Sequence, residues 1–297
     1  MISIKPSIVI LVCLLACVTS RARAGEVDNG SSEEIVFGMT PVLGVEATRE
    51  RFSPLAEHLS ELIGIKVKLE VAESYGNLID QVAKGNVDLV KFSPLAYVRA
   101  KKRIPNLKLI AAHVAYGSKT YSSYLISMQD GNFGSLADLN GARICFADPD
   151  STSGYLYPVA YLLKHKIVPE KTFRTITFGG NHRACIKGLM EGRFDVAATF
   201  SGAIRDARQE GLPVGDLFIL AKTGRIPYDA YCLRGDIDER LAAKIKSILL
   251  GINTLSSTGR KILTPTLGIN GWIEADDHLY DGIRLVDALV KAGTQVK

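Results

Sequence analysis

The sequence predicts an α/β protein of two similar lobes, and three observations carry that expectation. Short apolar runs of strand length alternate with longer segments whose apolar residues recur at helical spacing. Helical segments stop at glycines, as at Gly64, Gly85 and Gly192. Finally there is a weak internal repeat. Gly85-Asn86-Val87-Asp88 is echoed by Gly192-Arg193-Phe194-Asp195, and at that offset of 107 residues Tyr75 falls on His182 and Ile79 on Ile186. The period is too long for a solenoid and suits two α/β units of like topology. A chance likeness between two such units is the alternative reading.

Residues 25–34 are polar and rich in Gly and Ser, a lead into the first strand, Glu34–Met39. Thr40-Pro41 starts a loop. From Thr48 to Ile63 the apolar positions Phe52, Leu55, Ala56, Leu59, Leu62 and Ile63 fit a helix face. Ile65–Val71 alternates apolar and charged residues and predicts the second strand. Ser74-Tyr75-Gly76 leads a helix through Leu78, Ile79 and Val82, and Val87–Val90 is the third strand. Ser93-Pro94 opens the next helix, with proline where its missing N–H costs nothing. Leu107–Val114 reads as a strand.

The second half repeats the pattern. Ala142–Ala147 predicts a strand and Tyr155–Leu163 an apolar helix. Between them stand Asp148-Pro149-Asp150-Ser151-Thr152-Ser153-Gly154. Three consecutive hydroxyl residues lie where strand hands over to helix. An ordinary N-cap needs one of them; three, with Gly154 behind, can offer hydroxyls and free backbone N–H groups to an anion. Thr175–Phe178 is a strand, Gly179-Gly180-Asn181-His182 leads a helix through Ile186, Leu189 and Met190, and Phe194–Ala198 is a strand. If the lobes face each other, helix starts at Tyr75, Ser93, Ser151–Ser153 and His182 converge on a cleft. Each helix end carries roughly half a positive charge, worth about 0.3–1 kcal/mol toward an anion. Hydrogen bonds to a charged acceptor add about 1.5–3 kcal/mol each before binding costs. Four or five such donors reach about −8 kcal/mol, micromolar affinity, without a metal or an arginine.

The N-terminus predicts export. Lys5 precedes the apolar run Ile8–Val18, too short to span a bilayer comfortably. Two processing patterns compete: Ala22-Arg23-Ala24 before Gly25, which makes 1–24 a signal peptide, and the lipobox-like Leu14-Leu15-Ala16-Cys17, in which Cys17 would carry lipid. The 297-residue precursor has a formal net charge of +5. Cleavage after Ala24 removes three basic and no acidic residues, leaving 33 against 31, a net +2. That balance, with no basic stripe interleaved with aromatics, argues against nucleic acid as partner. The five cysteines show no paired metal spacing. Cys145 and Cys185 sit in apolar elements and are expected as buried thiols, leaving Cys232 as an odd third.

Taken together, Asp148-Pro149-Asp150-Ser151-Thr152-Ser153-Gly154 and Gly179-Gly180-Asn181-His182, with Phe92-Ser93-Pro94-Leu95-Ala96-Tyr97 upstream and Ile226-Pro227-Tyr228-Asp229 downstream, resemble the phosphonate/phosphite-binding proteins of bacterial ABC transporters. The likeness runs from about Ile35 into the 270s. It implies a two-lobed periplasmic binding fold of type II, a ligand cleft between the lobes, and delivery of a phosphorus oxyanion to a membrane permease. By position it implies that Tyr75 and Tyr121 contact ligand, that Ser151, Thr152, Ser153 and His182 meet the phosphonate oxygens, and that Asp229 matches the carboxylate that holds an amine in aminoalkylphosphonate binders. Where such binders carry a second acid, near Thr199–Ala203, this chain has Ala203 or a neighbour and no acid. That departure favours phosphite or methylphosphonate over aminoethylphosphonate. Phosphate is expected to be poorer than phosphite where an apolar wall meets its extra hydroxyl. The bland alternatives are a rim or packing role for the tyrosines, a cap for His182 and a turn for Asp229.

The repeat ends well before the C-terminus, leaving Leu241–Leu255 to pack back as a helix. The expected lobes are therefore 33–125 with 230–297, and 126–229, crossing near Tyr124–Ile126 and Asp229–Tyr231. The expected protein is a monomeric periplasmic solute-binding protein with neither cofactor nor metal, and not an enzyme. Two other functions compete: an oxyanion sensor docking on a membrane histidine kinase, and a phosphoester hydrolase. The latter would need Ser153 and His182 to act as nucleophile and base, with no third orienting group apparent.

Overall fold

The computed structural model describes residues 34–295; the signal segment expected at 1–24, with its lipobox reading, lies outside them. In chain order the elements are β1 (Glu34–Met39), α1 (Val45–Ile63), β2 (Lys66–Val71), α2 (Tyr75–Ala83), β3 (Leu89–Phe92), α3 (Pro94–Arg103), β4 (Lys108–Ala115), β5 (Thr120–Met128), β6 (Arg143–Phe146), α4 (Tyr157–Lys164), α5 (Pro169–Thr172), β7 (Thr175–Phe178), α6 (His182–Met190), β8 (Val196–Phe200), α7 (Ser201–Gln209), β9 (Leu217–Pro227), β10 (Ala230–Leu233), α8 (Glu239–Gly251), α9 (Ser257–Leu263), β11 (Ile269–Ile273) and α10 (Asp281–Gln295).

The strands form two sheets, ordered β11-β4-β10-β3-β1-β2 and β7-β6-β8-β5-β9. In the first, β1 lies parallel to β2 and β3, and β10 runs antiparallel beside β3. In the second, β6 lies parallel to β7 and β8, and β5 runs antiparallel beside β8. Each sheet thus has the same heart: three parallel strands joined by helices, flanked by one antiparallel strand. The internal repeat is real in topology. Helix α2 starts at Tyr75 and α6 at His182, both nine residues long. Each is capped alike: the Ser74 side chain accepts from the Asn77 N–H, and the Asn181 side chain from the Ala184 N–H. Parallel strands put their following helix starts at one end of the sheet, which is where open α/β sheets bind ligands.

Core composition follows the predicted spacing except at Leu62, expected on the apolar face of α1 but exposed. Helix α1 buries Phe52, Leu55, Ala56, Leu59 and Ile63 and stops at Gly64, whose φ of 74° an L side chain would resist. Another cluster runs through both sheets. Leu78, Phe92 and Leu95 meet Leu125, Ile144 and Phe146, and α10 closes it with Ile283 and Val290. The Tyr280 hydroxyl, beside α10, donates to the Tyr228 carbonyl at 2.9 Å.

Several expectations are corrected. The crossing expected near Tyr124–Ile126 falls inside β5, which is paired on both sides, to β8 and β9. The chain changes sheets earlier, at 116–119, and returns at 228–229. Ser122 and Ser123 in mid-strand hid β5 from the hydropathy pattern. The helix expected from Tyr155 begins instead with a π-helical turn, Thr152–Leu156, before α4. Helix α8 stops at Gly251, short of Leu255. Cys145 and Cys185 are joined in a disulfide, not free thiols; Cys232 is free and buried.

The disulfide ties β6 to α6 across a separation of 40 residues. Closing a loop of that length in the unfolded chain is worth about 4 kcal/mol by chain entropy, within the usual 2–4 kcal/mol. Reduction, or Cys185→Ser, should lower the thermal midpoint by roughly 6–12 °C. A melting curve unchanged by reductant, with thiol release confirmed, would contradict this.

Candidate functional site

Every residue singled out from the sequence lines one cavity: Tyr75, Ser93, Tyr121, Ser151, Thr152, Ser153, His182 and Asp229. The cavity measures about 40 Å³, room for about three waters at 10–15 Å³ each. Loop 148–154 supplies its hydroxyl wall. The loop is pinned from within by the Asp150 N–H donating to Asp148 Oδ1 at 2.7 Å. From outside, Arg99 of α3 pairs with Asp150 and donates to the Pro149 carbonyl at 3.1 Å. The Ser123 hydroxyl donates to the Ser153 carbonyl at 2.6 Å.

These contacts decide what each hydroxyl can still do. Ser151 Oγ accepts from the Gly154 N–H at 3.0 Å, and Thr152 Oγ1 from the Leu95 N–H at 2.8 Å. Both oxygens are held as acceptors, so their protons point elsewhere: the Thr152 proton is left for a guest, and the Ser151 proton for a guest or for the Tyr75 oxygen beside it. Ser93 differs: its oxygen accepts from the Ala96 N–H at 3.4 Å and its proton goes to the Asp150 carbonyl at 3.2 Å. It lines the cavity but ties α3 to the loop. Ser153 Oγ lies 3.5 Å from His182 Nε2. The Thr152 and Ser153 N–H groups stand in the first turn, where a helix supplies no acceptor. Gly154 permits this close approach. A Cβ there would meet Ser151 Oγ at 2.8 Å and His182 Cε1 at 3.0 Å.

The site is electrically quiet. Burial pushes the Tyr75 and Tyr121 phenols well up, with the nearby carboxylates adding to it, so both stay neutral O–H donors. Burial pushes His182 down to about 4 and His113 to about 3, against the opposing pull of Asp229. Both imidazoles are therefore neutral near pH 7. Asp229 is paired with Lys91, the one charge pair on the wall among the described residues. An aromatic arc runs behind: His113 against Tyr228 at 4.7 Å, Tyr228 stacked on Tyr121 at 4.8 Å, Tyr121 on Phe200 at 5.5 Å, and Phe200 on His182 at 4.9 Å. Among the described residues no cluster of His, Cys, Asp or Glu is placed to hold a metal.

Sequence reasoning missed Lys91, His113 and Phe200, all on this wall. Lys91 alone left a signal, a lysine inside the buried strand Leu89-Val90-Lys91-Phe92. Across the cleft, Arg51 of α1 meets Asp206 of α7 at 2.6 Å and Glu210, just past the end of α7, at 3.1 Å. Arg183 of α6 meets Glu210 at 2.5 Å. The His182 N–H also reaches the Val42 carbonyl at 3.3 Å.

The family model described as ABC transporter, phosphonate, periplasmic substrate-binding protein matches residues 37–280. A phosphate-import protein PhnD of Mycolicibacterium smegmatis is 26% identical over 78% of this chain and 76% of its own length. A phosphonates-binding periplasmic protein of Escherichia coli is 24% identical over 78% and 68%. Among solved structures, PhnD1 of Prochlorococcus marinus in complex with methylphosphonate superposes with a TM-score of 0.80 at 21% identity, covering 87% of this chain and 98% of that one.

The two depressed histidines set a pH dependence. An unfolded chain binds their protons near pH 6.5, the folded one only near 4 and 3. Stability is thus complete above about pH 6.5 and falls as pH drops toward 3, by about 1.4 kcal/mol per unit for each group in its window. Denaturant unfolding of His182→Gln should show a shallower loss between about pH 6.5 and 4 than wild type. Parallel curves would mean that His182 is not held neutral by the fold.

Proposed function

The chain belongs to the family of phosphonate periplasmic substrate-binding proteins of ABC transporters, and from its site we propose that it captures a small phosphorus oxyanion, phosphite or methylphosphonate. The observation that carries this is the run Ser151-Thr152-Ser153 at a helix start, facing two neutral phenols and His182 in a cavity of about 40 Å³. Neutral donors hold an anion without demanding that its charge be cancelled, and they can release it again. The volume leaves no room for a long tail. The aromatic arc gives the fourth substituent an apolar neighbour, which suits P–H or P–CH3 and leaves a phosphate hydroxyl short of a partner. The relatives named above are described with phosphate, phosphonates and methylphosphonate, a common chemistry of tetrahedral phosphorus oxygens.

In this reading Tyr75, Tyr121, Ser151, Thr152, Ser153 and His182 bind the oxygens, and Ser93 holds the loop that presents them. The protein works as a monomer, exported by its N-terminal segment, and hands its ligand to a permease. The two sheets act as lobes that close over the guest through the crossings at 116–119 and 228–229. Closure is secured by Arg51 on Asp206 and Glu210. Burial raises the Asp206 carboxyl while Arg51 opposes that shift, so the pair stands in a partly desolvated position where a lost partner is costly.

Ser151→Ala, Thr152→Ala and Ser153→Ala should each weaken methylphosphonate or phosphite binding by roughly 1.5–3 kcal/mol, ten- to a hundredfold, with melting curves intact. Calorimetry showing wild-type affinity in all three would remove the proposed site.

Arg51→Ala should shift the free protein toward an open form and weaken both ligands by a common factor. Solution scattering with and without ligand checks it. Curves that superimpose for wild type and variant in both states would count against closure.

A further inference from the structure

Lys91 is the one feature of the pocket that an oxyanion site built from neutral donors does not need. It lies on β3 between β1 and β10, in register with Met39 and Tyr231, and its side chain is 5% exposed. The ammonium leaves the sheet toward the cavity, passing the Phe52 ring at 5.6 Å. Asp229 is its ion-pair partner and also lines the cavity. A lysine this enclosed needs a counter-charge, and a carboxylate this enclosed needs a cation. Each satisfies the other within the protein.

We propose that Lys91 occupies the ammonium position of the site, so that Asp229 is unavailable to a ligand amine and the pocket selects phosphorus oxyanions whose fourth substituent is uncharged. This rests on the phosphorus-oxyanion reading above and adds the tail it accepts. An aminoalkylphosphonate carries its ammonium a few bonds from the oxygens. To seat it beside Asp229, the guest would have to displace Lys91 and leave a second buried ammonium next to its own. Like charges in an enclosed site repel strongly. The pair has a second effect on the same guest. A bare Asp229 would set a negative charge against the arriving anion, and Lys91 cancels it. Selectivity against amines and tolerance of the anion come from one contact.

The test is calorimetric titration of wild type, Lys91→Met and Lys91→Met/Asp229→Asn with methylphosphonate and with aminoethylphosphonate, folding being checked by melting curves. Wild type should prefer methylphosphonate at least tenfold. Lys91→Met frees the carboxylate and should move the ratio of the two affinities at least tenfold toward aminoethylphosphonate. The double variant should lose that gain, since no acid remains to hold the amine. A folded Lys91→Met with an unchanged ratio overturns the proposal. If that variant does not fold, the wild-type titrations decide: aminoethylphosphonate bound as tightly as methylphosphonate overturns it, and tenfold discrimination supports it. Wild type that binds neither phosphonate, nor phosphite, refutes the oxyanion reading itself and this proposal with it.

Discussion

A hydroxyl has one proton to give, and in this protein neighbouring backbone decides where it goes. The oxygens of Ser151 and Thr152 accept from the N–H groups of Gly154 and Leu95, which leaves the protons for the cavity. Ser93 spends its own on the Asp150 carbonyl. The pocket therefore depends on loop 148–154 being held by other parts of the molecule: Arg99 on α3, Ser123 on β5 and the start of α3 itself. A free loop of the same sequence would turn its hydroxyls onto its own backbone, as Ser and Thr do in turns. The π-helical turn at Thr152–Leu156 belongs to the same arrangement, since such turns widen a helix start.

Two copies of one topological unit give this arrangement its symmetry. Helices α2 and α6 bring Tyr75 and His182 to equivalent places, each behind a side-chain cap. Because the two residues differ, the pocket has a phenol on one side and a neutral imidazole on the other. The Cys145–Cys185 disulfide fastens α6 to β6, and Gly179 leaves space beside the two sulfurs, where a Cβ would stand 2.9 and 3.0 Å from them. The covalent tie and His182 lie on the same short helix. Its oxidation suits a periplasmic protein.

Charge is handled by exclusion. Among the described residues no arginine lines the cavity, both lining histidines are held neutral by burial, and the one lining carboxylate has an internal partner. Charged contacts are placed at the cleft margin instead, where Arg51 of α1 reaches Asp206 and Glu210 on the side of the other sheet, and Arg183 of α6 holds Glu210 from within that side. In the proposed binding role a guest would meet donors with fixed directions and little net charge, while the stronger ion pairs act at the cleft margin.

What the sequence by itself determined were the features with a local cause. Strand-and-helix alternation, the glycine that stops α1, the helix starts at 74–76 and 179–182, and the hydroxyl run at 151–153 are written in consecutive residues, because helix starts and periodicity act within a turn or two. The repeat at an offset of 107 was legible for the same reason. Tertiary structure decided whatever needed two distant segments. Cys145 and Cys185 look like ordinary buried thiols until β6 and α6 pack together. Ser93 resembles the other hydroxyls until its proton is found on Asp150. Strand β5, with its serines, reads as polar chain until β8 and β9 pair with both of its edges. Lys91 and Asp229 are 138 residues apart, and neither shows in sequence that it satisfies the other. Burial removes water from both, and only the fold determines which groups then remain to take its place.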